Sequence, residues 1–90
     1  MARKSQYVRC EISPGFFPNE FYVVVGDSSA YVGKENVHTK HSTANDAAVE
    51  GTVLAVVVEE KSDRALIELP GQPVAGGLRL WVSRDRLVTT

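Results

Sequence analysis

The chain has 90 residues, and its 10 lysines and arginines nearly balance 11 aspartates and glutamates, which leaves a net charge of −1. A chain this short builds only one small core, so we expect a single domain over residues 1–90. The balanced charge lacks the basic excess that non-specific phosphate binding needs. A weak nucleic-acid-binding barrel therefore ranks third among the functions we consider.

Cys10 is the only cysteine, so the chain cannot form an internal disulfide, and this favours a reducing compartment. Met1 is followed by Ala-Arg-Lys-Ser-Gln rather than by an apolar run. No stretch approaches the roughly 18 apolar residues of a membrane span. We therefore expect a cytoplasmic protein with no membrane partner.

Short apolar and β-branched runs, each bounded by turn-forming residues, follow one another along the chain. They are residues 7–12, 21–25, 51–58, 64–69 and 78–82. Such runs are typical of an all-β domain. The two prolines of the segment SPGFFPN at 13–19 predict that this segment does not continue a strand. The segment GDSS at 26–29 is short enough to close a hairpin between 21–25 and 29–32.

The second half of the chain contains longer connections. Residues 38–48 are polar and predict a mobile loop, in which Asp46 is a candidate cap for a single helical turn. Residues 60–63 predict a turn, and residues 70–77, rich in proline and glycine, predict a wider connection. No segment predicts a long helix.

Two segments nearly repeat each other, AYVGKENVHT at 30–39 and LWVSRDRLVT at 80–89. In each segment an aromatic residue and a valine are followed by a basic–acidic pair and then by a returning apolar residue, Val37 or Leu87. The pattern predicts a strand that ends in one helical turn after the valine and then returns the next apolar residue to the core. The repeat therefore indicates architecture rather than chemistry.

The second half resembles the latter part of SH3-like small β-barrels, where strands joined by short turns precede a single 3₁₀ turn and a last short strand. The corresponding segments here are 51–59, 64–69, 77–82, 84–86 and 87–89. The resemblance implies a small antiparallel barrel or half-open sandwich of about six or seven strands. The first half would then supply the opening strand and a long first loop that carries its own hairpin.

Within that superfamily, residues Leu78-Arg79-Leu80-Trp81 resemble the Val-Gln-Ile-Tyr pore strand of plasmid-type (type II) dihydrofolate reductases. The resemblance implies, as the alternative function, an oligomeric enzyme that binds a nicotinamide cofactor and dihydrofolate in a pore lined by these residues. Arg79 stands where that family has its ligand-contacting glutamine, and the family's pore lysine has no counterpart in this sequence.

The residues that could carry chemistry form no catalytic constellation. His38 and His41 have a spacing that two metal ligands can use, but Cys10 and Glu35 are the only further candidate ligands and no spacing supports them. None of the serines lies in a G-x-S-x-G setting, and alternation places Cys10 on the core face of its strand. We expect no catalytic residue, no metal and no cofactor.

Strand alternation divides the apolar residues between a core face and an outer face. The residues predicted to be largely buried are Val8, Ile12, Phe21, Val23, Val57, Ile67, Leu69, Leu80, Val82 and Leu87. The apolar residues predicted to point outward are Leu54, Val56, Val58, Leu66 and Trp81. An exposed apolar area of this extent indicates an association site.

Trp81 alternates out of phase with the core residues of its strand and stands beside Arg79, and Trp, Tyr and Arg dominate binding hot spots. We therefore expect a non-catalytic protein-interaction or assembly module that binds a protein partner or forms a homodimer. Its expected contact residues are Trp81, Arg79 and Tyr31. In the alternative interpretation, residues 38–48 or the two phenylalanines of segment 13–19 cover this face within the same chain.

Overall fold

The computed structural model describes residues 4–40 and 48–88, which form nine antiparallel strands. In chain order the strands are β1 (Lys4–Pro14), β2 (Glu20–Val25), β3 (Ser28–Gly33), β4 (Val37–His38), β5 (Val49–Glu60), β6 (Arg64–Glu68), β7 (Gln72–Ala75), β8 (Arg79–Ser83) and β9 (Leu87–Val88). Within the described ranges, no helix is long and apolar enough to cross a membrane. The predicted all-β class is confirmed.

The sheet curls into a half-barrel. Seven strands follow the order β7-β3-β2-β1-β5-β6-β8, while β4 pairs with β5 and β9 pairs with β1. The outermost strands, β7 and β8, are consecutive in the chain and are joined only by residues 76–78. At this corner Ser28 Oγ donates a hydrogen bond to the Gly76 carbonyl oxygen at 3.3 Å. The architecture is compatible with a small SH3-like barrel.

The two copies of the sequence repeat fold in the same way. A 3₁₀ turn follows the valine in each copy, at Lys34–Asn36 and at Arg84–Arg86, as the pattern predicts. The first residue of each turn donates its backbone N–H to an equivalent carbonyl oxygen, from Lys34 to Asn19 at 3.0 Å and from Arg84 to Asp63 at 3.1 Å. The two units are therefore alike down to this hydrogen bond.

The short turns form where their residue types predict them. Gly26 adopts φ +56° in the two-residue loop between β2 and β3, a left-handed conformation that favours glycine. The backbone N–H of Lys61 donates to the Arg64 carbonyl oxygen at 2.8 Å and closes the hairpin between β5 and β6. The polar loop begins later than predicted, since His38 belongs to β4, and its residues 41–47, which include His41 and Asp46, lie outside the described residues.

Two predicted boundaries are wrong. Segment 13–19 begins inside β1, because Ser13 and Pro14 still pair with β2 and the turn follows them. Residues 70–77 are not only a connection, because Gln72–Ala75 form β7, which pairs with β3. A proline is compatible with β7 because an edge strand needs hydrogen-bond donors on one side only. Pro73 therefore does not prevent this pairing.

The core lies on the concave face of the sheet and follows the predicted alternation. Its buried apolar residues are Val8, Cys10, Ile12, Val23, Val25, Ala30, Val32, Val37, Val53, Ala55, Val57, Ala65, Ile67, Leu69 and Val82. Three residues predicted to be largely buried, Phe21, Leu80 and Leu87, are only half-buried and pack against the margin of this core. Leu80 lies on the edge strand β8, which leaves one flank of its side chain without a covering strand.

Candidate association surface

Trp81 lies on the outer face of β8, opposite Leu66 of β6 in the register of the two strands. The residue is 39 % exposed, whereas its neighbour Val82 points inward and is buried. Two cations flank the indole ring, with Lys61 Nζ at 5.1 Å and Arg64 Cζ at 5.0 Å from the ring centroid. The outward orientation follows the predicted alternation of the strand, and the two cations favour this orientation of the ring.

Arg79 is paired with a residue of β6 rather than stacked on the tryptophan. Its Nε donates to Glu68 Oε1 at 2.7 Å, and Glu68 stands directly opposite it in the register. This pair limits the orientations of the guanidinium group but adds little stability, because exposed ion pairs contribute about 0–1 kcal/mol. The arginine that stacks on Trp81 is Arg64, which the sequence did not single out.

We call the group formed by Trp81, Leu66, Arg79, Glu68, Lys61 and Arg64 the Trp81 face. It carries three cations and one carboxylate beside one exposed indole ring. All of it is built on the paired strands β6 and β8 and on the turn before β6. The further apolar residues predicted to point outward from β5, Leu54, Val56 and Val58, are half-buried.

Tyr31 belongs to a different aromatic cluster. Its ring centroid lies 5.2 Å from that of Phe16 and 5.5 Å from that of Tyr22. Its strand, β3, pairs with β2 and β7, so no strand pairing places Tyr31 beside Trp81. Among the described residues, the ring contacts of these two side chains share no partner. The three residues predicted to form the contact surface are thus divided between two places.

The turn that follows β1 displays two phenylalanines. Phe16 is 81 % exposed and Phe17 is 65 % exposed. The Phe16 backbone N–H donates to Glu20 Oε2 at 3.1 Å, and the Gly15 N–H donates to the Glu20 carbonyl oxygen at 3.3 Å, so the turn is held in place. Phe16 packs against Tyr31, so this side chain is engaged away from Trp81.

The side chains that could act as nucleophiles, bases or metal ligands are dispersed. Burial raises the pKa of Cys10 to about 12, an effect that Arg86 opposes and Glu11 adds to, so the thiol stays protonated. His38 Nε2 lies 3.0 Å from Tyr7 Oη, and neither residue belongs to the Trp81 face. Within residues 4–40 and 48–88, no three His, Cys, Asp or Glu side chains are grouped as a metal site would require.

An open groove beside β1, β5 and the second 3₁₀ turn has a mixed lining. Its charged residues are Arg9, Glu11, Lys40, Glu50, Asp85 and Arg86. Its three cationic and three anionic residues balance in charge, and Arg86 donates to the Arg9 carbonyl oxygen at 3.5 Å. The Trp81 face is therefore the stronger candidate for a binding surface.

Compared with known proteins, the chain matches no protein-family model, no curated protein and no solved structure.

Proposed function

We propose that this chain is a non-catalytic association module that binds a protein, a second copy of itself or another chain, through the Trp81 face. The observation that carries the proposal is the exposed Trp81 ring held between Lys61 and Arg64 on a strand. An aromatic side chain left partly exposed on the outer face of an edge strand is available to a partner. The SH3-like order of the strands, which we infer to reflect membership of that superfamily, supports the same function.

The energetic argument rests on how little the surface has to reorganise. Trp81 is fixed by the β6–β8 register and by two cations, so a partner that covers it orders few side chains. Truncation of a central interface tryptophan commonly costs about 2 kcal/mol or more of binding free energy. Because the ring is not part of the core, its removal should change the folding free energy little.

The test compares Trp81→Ala with wild type by light scattering at two protein concentrations and by thermal unfolding. We expect a mass that rises with concentration for wild type, a weaker rise for Trp81→Ala, and nearly equal thermal midpoints. Phe17→Ala is the matched control, since Phe17 is an exposed aromatic outside the Trp81 face. Equal effects of the two substitutions on association, or unfolding of a strictly monomeric protein by Trp81→Ala, would contradict the proposal.

A further inference from the structure

Among the described residues, the backbone of β8 has one edge without a partner strand. β8 pairs only with β6, and two hydrogen bonds at its ends fix which backbone groups face that partner. Leu69 N–H donates to Leu78 O at 2.8 Å, and Arg84 N–H donates to Asp63 O at 3.1 Å. Since hydrogen-bonded and non-hydrogen-bonded pairs alternate in an antiparallel ladder, Leu80 also faces β6.

The remaining residues of β8 direct their backbone groups away from the sheet. By the same alternation, the N–H and C=O groups of Arg79, Trp81 and Ser83 point to the open edge. The bond from Lys61 N–H to Arg64 O agrees with this phase, because it turns Arg64 toward β5 and away from β8. The exposed indole ring and the free backbone groups therefore belong to the same residue.

The first copy of the repeat shows what such an edge can bind. Tyr31 occupies the position of Trp81, and the bond from Lys34 to Asn19 turns its backbone groups away from β2. There β7 pairs antiparallel with β3 and places Gln72 opposite Tyr31. The equivalent edge of β8 carries no strand among the described residues. The same unit thus holds an added strand in its first copy and leaves the place open in its second.

The charge around the Trp81 ring favours an acidic occupant. Neither Lys61 nor Arg64 forms an ion pair with a described residue, although Asp63 and Glu59 are close in the chain or in the register. Arg84, by contrast, is paired with Glu60 at 3.5 Å. A second copy of the chain would bring the same unpaired cations to the edge, so a segment with carboxylates complements it better.

We propose that β8 binds an extended acidic peptide segment of a partner protein as an additional antiparallel strand. Alternate carboxylates of that segment lie on the outer face beside Lys61 and Arg64, and its backbone bonds to Arg79, Trp81 and Ser83. This inference rests on the proposed association function and names the chemistry of its partner.

The probe is a fluorescein-labelled peptide of seven residues with alternating Glu and Val, measured by fluorescence anisotropy, and an equal Lys and Val peptide is its control. In an antiparallel pair the residues that bond to Trp81 carry their side chains on the Trp81 face, so they are the glutamates. N-methylation of the glutamate amides should therefore abolish binding, and N-methylation of the valine amides should leave it largely intact.

The charge of the surface is tested by the double substitution Lys61→Glu with Arg64→Glu. We expect the double substitution to lower the affinity for the Glu and Val peptide by about tenfold and to create binding of the Lys and Val peptide. Because both residues are exposed, we expect the double substitution to change the thermal midpoint little. A midpoint close to that of the wild type confirms that the variant is folded.

Three results would overturn the inference. They are absence of binding by the acidic peptide, equal binding of the acidic and basic peptides, and a loss of binding on N-methylation of the valine amides as large as that on N-methylation of the glutamate amides. If these results came together with weaker self-association of Trp81→Ala, the association function would stand, and its partner would be a second copy. If Trp81→Ala changed neither association nor peptide binding, the proposed function itself would be wrong.

Discussion

At the scale of single residues, the environment of Trp81 combines one predictable feature with one that is not. Its outward direction follows from alternation along β8, which can be derived from the sequence alone. Its contacts with Lys61 and Arg64 depend on the register between β6 and β8, and cross-strand neighbours cannot be derived from spacing along one strand. An exposed cation–π contact contributes about 0.5–1 kcal/mol, so each orients the ring more than it stabilises the fold.

A pair of substitutions separates the core from its margin. Ile67 and Leu80 are opposite each other in the register, but Ile67 is fully buried and Leu80 is half-buried. We expect Ile67→Ala to cost about 2–5 kcal/mol of unfolding free energy, the range for truncation of a fully buried aliphatic side chain. With its edge position, Leu80→Ala should cost less. Urea unfolding of the two variants measures both, and equal midpoints would contradict the difference in burial.

Because the thiol of Cys10 is buried, the free energy of unfolding should fall as the pH becomes alkaline. Its pKa is about 12 in the folded protein, mainly through burial, against about 8.5 in an unfolded chain. The resulting stabilisation is fully present below the lower value and is lost as pH rises toward the higher one. We expect urea midpoints to fall between pH 8 and pH 10, and Cys10→Ala to reduce that fall. A native thiol that iodoacetamide modifies as fast as an unfolded one would disprove the burial.

At the scale of elements, the sequence predicted the turns better than the edges. Both 3₁₀ turns and the loop at Gly26 follow from local residue types, so they could be located without a structure. Strand β7 could not, because Pro73 and the neighbouring glycines also predict a loop, and only the pairing with β3 makes this segment a strand. The open edge of β8 is likewise a property of the sheet order.

Amide hydrogen exchange can show which N–H groups of β8 bond to β6 and which point to the open edge. The N–H groups of Leu80 and Val82 bond to β6 and should be protected, whereas those of Arg79 and Trp81 point to the open edge and should exchange rapidly. In the first copy of the repeat the amide of Tyr31 should be protected, because β7 covers it. Equal protection of Trp81 and Leu80 would place the hydrogen bonds in the opposite phase.

At the scale of the whole molecule, binding of NADPH distinguishes the reductase alternative from the association module. A reductase of the plasmid type should bind NADPH in a pore lined by residues 78–81, but here Arg79 is held by Glu68 in place of a free amide. We expect no saturable heat when NADPH is titrated into the protein by calorimetry. Saturable binding that Arg79→Ala or Trp81→Ala removes would favour the enzyme over the module.

Pro73 has a consequence for how many molecules can join through their sheets. It stands opposite Ala30, whose backbone groups bond to β2, so the position where Pro73 lacks an N–H faces away from β3. The outer side of β7 is thus a poor template for another strand, while β8 is a good one. Growth of the sheet is therefore favoured at β8 and disfavoured at β7, which opposes the joining of β8 of one molecule to β7 of the next in a continuous fibre. Exchange of this single proline for valine would remove that block and favour fibrous aggregation.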